Sequence, residues 1–146
     1  MRTILIFLCL CFFVLNGPVF AQPPSSHAIA AKVLGISDQN VVLVERADRP
    51  GIKMNIQIRG YQLPHRSGEC KFERSLGQQV TKAIQDLVGA KGVTLLNPLP
   101  SSDLRTAEAE IINYDGINIG KYLFLELGLA QPRSGAINIA WCGKGY

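Results

Sequence analysis

The chemistry open to this chain rests on Cys70, Cys142, His65 and a scatter of arginines and carboxylates. A thiol nucleophile needs a base beside it, a zinc shell needs four ligands, and a disulfide needs only a second thiol and an oxidising compartment. The histidines are His27, near a Pro/Ser-rich start, and His65, in a loop. That leaves a catalytic thiol unsupported and a zinc shell short of ligands. A Cys70–Cys142 disulfide is the direct reading. From position 70 to position 142 it closes 72 residues, which stabilises the fold by about 4 kcal/mol through loop entropy. Glu108 and Glu110 have the spacing of paired carboxylates, but two apart on a strand is also the ordinary pattern of a solvent face. Gly-Lys-Gly at 143–145 lacks the strand–loop–helix setting of a phosphate loop, and no Gly-x-Ser-x-Gly elbow occurs. Tyr61, Tyr114, Tyr122, Phe124 and Trp141 do not interleave with basic residues as a base-stacking surface would.

The oxidising compartment is read from the start of the chain. Ile4 to Leu15 is unbroken apolar, preceded by Arg2 and followed by Gly17-Pro18, with Val19 and Ala21 at the small-residue positions. This is the pattern of a secretory signal peptide over 1–21, cut after Ala21. The stretch falls short of the roughly 18 to 20 apolar residues that span a bilayer; an uncleaved N-terminal anchor is the alternative. Neither Cys9 nor Cys11 has the small residue before it that lipid attachment needs. Removing 21 of the 146 residues leaves 125, and losing Arg2 reduces the net +4 to +3. An excess that mild suits a secreted or periplasmic protein, a monomer with no stable membrane association, and does not by itself indicate nucleic-acid binding.

The elements that position these residues follow from hydrophobic period. Residues 22–27 read as a disordered lead and 28–146 as one domain. Ile29–Ile36 and Asn40–Arg46 are β-prone, joined by Ser37-Asp38-Gln39-Asn40. Ile52 to Arg59 alternates strictly, which puts Ile52, Met54, Ile56 and Ile58 on one buried face. From Phe72 through Leu76, Val80, Ile84 and Val88 the apolar positions recur at helical spacing up to Gly89. Val93–Leu96 is a strand stopped by Asn97-Pro98, Ala107–Ile111 alternates again, and Ile117–Leu129 reads as a second helix.

That order resembles the staphylococcal nuclease (thermonuclease-like) family across Ala31 to Cys142. The resemblance is carried by Lys32-Val33, the run Ile58 to Pro64, Cys70 with Glu73 opening the helix, and Gly92-Val93. Further along come Asp103 before a strand, Tyr114-Asp115-Gly116, Gly128-Leu129-Ala130 and Trp141-Cys142. The paired cysteines are similar to those of exported bacterial members. The resemblance implies an α+β, mainly β fold: a five-stranded Greek-key OB barrel with two to three helices.

Active members of that family hydrolyse phosphodiesters with a carboxylate-held calcium, a glutamate near the attacking water and two arginines on the phosphate. Those types suit the task, because calcium takes hard oxygens and guanidinium groups neutralise charge growing on phosphate. In this chain the metal carboxylate positions carry Gln39 and Gln62, the glutamate position His65, and the arginine positions Gln57 and Ala107. All five differ. Asp38, Arg59 and Arg105 lie one or two residues away, but a one-residue shift turns a strand side chain to the other face, and two residues move it by about 6.6 Å. The expectation is therefore a binding or structural module without nuclease activity, with single-stranded nucleic acid as a candidate ligand and no metal or other cofactor. The alternative is a calcium-dependent or metal-independent nuclease rearranged around Arg59, His65 and Arg105.

Overall fold

Period-two apolar patterning builds the body of the molecule. The structure is a computed structural model that describes residues 27–100, 106–133 and 141–143; the signal peptide expected over 1–21, residues 22–26, Asp103 and Arg105 lie outside the described residues. In chain order the described elements are β1 (Ala28–Ile36), β2 (Val42–Arg46), β3 (Lys53–Ile58), β4 (Tyr61–Gln62), α1 (Lys71–Val88), β5 (Val93–Pro100), β6 (Thr106–Asn113), α2 (Ile119–Leu125) and β7 (Gln131–Pro132). The result is a mixed α+β fold, mainly strand.

Five strands close a barrel in the order β1-β2-β3-β6-β5, with β5 returning to β1, while β4 and β7 make a separate two-stranded pair. The barrel pairings are antiparallel except β3–β6, which is parallel. Alternate residues such as Val42, Val44, Ile56, Ile58, Leu95, Ala109 and Ile111 fill the interior. The strand directions bring β1, β3 and β6 to the same end of the barrel, and α1 closes that end with Val80, Ile84 and Val88 inward. The Asn113 side chain, at the close of β6, donates to the Leu87 carbonyl at 3.0 Å and fixes the far end of α1 there. No helix among the described residues is long and apolar enough to cross a membrane.

Four details depart from the periodic reading. Ile52 is 49% exposed. Its N–H donates to Arg49 and its carbonyl accepts from Arg46, so it belongs to the 47–52 turn and pairing begins at Lys53. Phe72 is 63% exposed because the buried stripe of α1 runs through Glu73, Gly77, Val80, Ile84 and Val88, one residue out of phase with it. The strand expected to stop at Leu96 continues to Pro100 through an irregularity, with Asn97 in the left-handed region at φ 47°. The second helix is shorter than its pattern. Gly128 turns left-handed at φ 63° and the Leu129 N–H donates back to the Leu123 carbonyl at 2.8 Å, a C-terminal closure that ends α2 early.

Candidate functional site

Of the positions singled out by the family resemblance, Gln39 and His65 share one surface and Gln57 lies on another, while Ala107 is buried in the barrel and Gln62 lies in β4. The first is the 37–40 turn against the loop leaving β4. Arg66 donates its backbone N–H to the Asp38 carbonyl at 2.8 Å, and its guanidinium meets the Asp38 carboxylate at 2.8 Å. That double contact lays the segment carrying Gln39 beside the segment carrying His65, both exposed. Beneath them Asn40 is 1% exposed at φ 56°. Its amide donates to the carbonyl of Pro64 at 2.5 Å and its Oδ1 accepts the Thr81 hydroxyl at 2.7 Å. The turn is thus anchored to α1 from below and to Arg66 from the side. Its one carboxylate is already paired.

The second surface is the outer face of β3 and β6. In the parallel register Gln57 lies opposite Glu108, and Ile56 opposite Ala107. Direct partners share a face. Ile56 and Ala107 are buried inside the barrel, so Gln57 and Ala107 point to opposite sides of the sheet. An arginine at each place would not converge on one phosphate. Arg59 does lie on the outer face with Gln57, but its guanidinium donates to the Glu108 carbonyl at 2.8 Å and to the Asn97 carbonyl at the β5 irregularity. It ties β3 to β6 and β5. Glu108 accepts Arg133 at 2.6 Å, and Glu110 accepts the Asn118 amide at 2.9 Å. The two glutamates therefore serve separate partners rather than acting as a pair. Gln62 sits in β4, opposite Gln131 of β7.

A third cluster lies at the start of α1. Cys70 is its N-cap and is bonded to Cys142 with Cα atoms 5.8 Å apart. The Glu73 N–H donates toward Cys70 Sγ at 3.4 Å. The buried Glu73 carboxylate accepts the His65 N–H at 3.2 Å and the Glu69 N–H at 3.1 Å, and its Oε2 lies 3.4 Å from Cys142 Sγ. This is capping-box spacing, with the N-cap sulfur meeting the N3 N–H while the N3 carboxylate takes the N–H of Glu69, one residue before the N-cap. Among the described residues, these are the three His, Cys, Asp or Glu side chains whose donor atoms gather, all within 4.8 Å. Both sulfurs are spent on each other, which leaves one carboxylate and no ligand set for a metal in the oxidised protein.

The sequence reading found the disulfide and named Glu73 only as a helix opener. It missed Asn40 and Arg66. The Cys-x-x-Glu spacing could have flagged the Glu73 role, whereas nothing local signals that Asn40 would be buried under a loop from position 64. No protein-family model matches the chain, and no curated protein aligns with it.

Proposed function

We propose that this chain is an exported OB-fold module of the staphylococcal nuclease type that binds single-stranded nucleic acid without cleaving it. Support for the fold comes from the strand order, with its single parallel contact between β3 and β6. A signal peptide over 1–21 and a disulfide are consistent with export to the periplasm or medium. The loss of activity rests on one observation above all. The groups closest to the vacated site are consumed by the protein itself: Asp38 by Arg66, and Arg59 by two backbone carbonyls. Hydrolysis needs donors and a cation free to meet charge as it develops on the phosphate.

The candidate contact surface is the barrel wall, where two lysines stand on either side of one glutamate. Lys32 and Lys53 are exposed and flank Glu45 across β1, β2 and β3 in register. Phosphate contacts of this kind give salt-dependent binding with little sequence preference. Fluorescence anisotropy with a labelled single-stranded oligonucleotide should give a Kd between about 10⁻⁶ and 10⁻⁴ M near physiological salt, weakening linearly in log[salt]. Lys32→Glu with Lys53→Glu should abolish it. No measurable association at low salt removes nucleic acid as the ligand. In a parallel nicking assay with calcium, magnesium or manganese, turnover lost in Arg59→Ala or His65→Ala would replace this reading with that of a rearranged nuclease.

A further inference from the structure

The two sulfurs of the disulfide sit in unlike electrostatic surroundings, and we infer that the Cys70–Cys142 bond is a thiol–disulfide exchange site in which Cys70 carries the thiolate and Glu73 holds Cys142 as the thiol. Cys70 occupies the N-cap of an 18-residue helix and receives the Glu73 N–H at 3.4 Å. Aligned peptide dipoles and an N–H aimed at sulfur favour negative charge there. Cys142 faces the opposite influence. The Glu73 carboxylate, 9% exposed, lies 3.4 Å from its sulfur; a carboxylate oxygen is also within 4.8 Å of Cys70 Sγ, so the asymmetry rests on the Glu73 N–H at Cys70 and the carboxylate contact at Cys142. A carboxylate offers about four acceptor sites, and the described bonds to it are from His65 and Glu69 N–H, so it can take an S–H as well. A thiolate at Cys142 would meet that anion at close range.

Both cysteines are partly exposed, within reach of a small thiol. Of the other charged residues described on these segments, His65, Glu69, Lys71 and Arg74 are solvent-exposed, and Arg66 is half-buried in its pair with Asp38. Consider reduction by a low-molecular-weight dithiol. Its first sulfur, having lost its proton to solvent, bonds to Cys142 Sγ. The Sγ–Sγ bond breaks and its electron pair leaves on Cys70 at the helix terminus. The better leaving thiolate sets this direction. The second dithiol sulfur then closes on the first, and Cys142 is released and takes the proton that this second sulfur gives up. Its S–H donates to Glu73. The dithiol is oxidised by two electrons to a cyclic disulfide, and the protein disulfide is reduced by two. Run backwards, with a disulfide as oxidant, Cys142 gives up its proton and bonds to one oxidant sulfur while the other leaves; the Cys70 thiolate then attacks Cys142 Sγ and expels the remaining oxidant sulfur as a thiolate. The substrate class is small dithiols and exposed peptide thiols.

The reduced, folded protein is treated with iodoacetamide at about pH 6.5, well below the ordinary thiol range, and the labelled positions are mapped by mass spectrometry. Cys70 should be modified about tenfold faster than Cys142 or more, and the ratio should fall to about one in urea. Equal rates in the folded protein, or faster labelling of Cys142, overturn the assignment. Glu73→Gln should raise Cys142 labelling several-fold with less effect on Cys70; an unchanged Cys142 rate removes Glu73 from the site. The wild-type ratio stands as a test even if that variant folds poorly. Direction of opening has a separate readout. Oxidised protein exposed to excess glutathione with iodoacetamide present should trap glutathione on Cys142 and the alkyl group on Cys70, and the reverse adduct refutes the leaving-group argument.

Discussion

Asn40 does more for this structure than its side chain alone suggests. It holds a left-handed backbone at φ 56°, donates to Pro64 and Gly77, and accepts from Thr81 while fully enclosed. Asn40→Ala removes all three bonds and strands buried polar partners, so urea denaturation should show a loss of about 2 to 3 kcal/mol. Asn40→Asp should be no better, since a carboxylate there would face two carbonyl oxygens. An acidic residue at position 40 would therefore work against the fold. Asp48 illustrates a milder effect. The hydrogen bonds from the Arg46 guanidinium, at 2.8 and 2.5 Å, hold its carboxyl below the ordinary Asp value. A depressed folded value means stability present above the unfolded carboxyl range and lost as pH falls through the folded one. Carbon-detected NMR titration should place the Asp48 midpoint lower than in an Arg46→Gln variant, and coincident midpoints would contradict the pairing.

Among the elements, α1 depends on contacts that its own periodicity does not reveal. Gly77 faces the 64–66 loop so closely that a Cβ there would lie 2.4 Å from the His65 carbonyl carbon and 2.6 Å from the Arg66 nitrogen. Glycine inside a helix normally costs about 1 kcal/mol relative to alanine, so Gly77→Ala should stabilise an isolated helix. In this protein the sign should reverse, because backbone, not a movable side chain, stands in the way. Thermal unfolding should show a clear drop in Tm for Gly77→Ala and little change for Gly35→Ala, where nothing lies within 4 Å of the added carbon. Gly120 in α2 differs in kind, because a Cβ there would meet side chains, Tyr61 at 2.6 Å and Ile58 at 2.7 Å. The helix stripes were legible because burial repeats at 3.6 residues. Phe72 and Ile52 were misplaced because a neighbouring phase or a turn decided their surroundings.

For the whole molecule, the disulfide joins the opening of α1 to the 141–143 segment over 72 residues of chain. Replacing both cysteines by serine should lower unfolding free energy by about 4 kcal/mol, through greater freedom of the unfolded chain. A loss below about 1 kcal/mol would mean that the entropy is recovered elsewhere. The amino-acid sequence by itself determined the strands, the helical stripe and the cysteine pair, since each is a matter of local period or of residues too few to pair otherwise. Tertiary structure alone decided the surroundings of the candidate site side chains. The parallel register of β3 and β6 puts positions 57 and 107 on opposite faces. Closure of the barrel carries Arg59 onto the carbonyls of Asn97 and Glu108. Docking of the 64–66 loop pairs Asp38 with Arg66 and, through the helix start, sets Glu73 beside one sulfur of the disulfide. These are contacts between residues far apart in the chain. Their geometry comes from registers and approaches that no local pattern encodes.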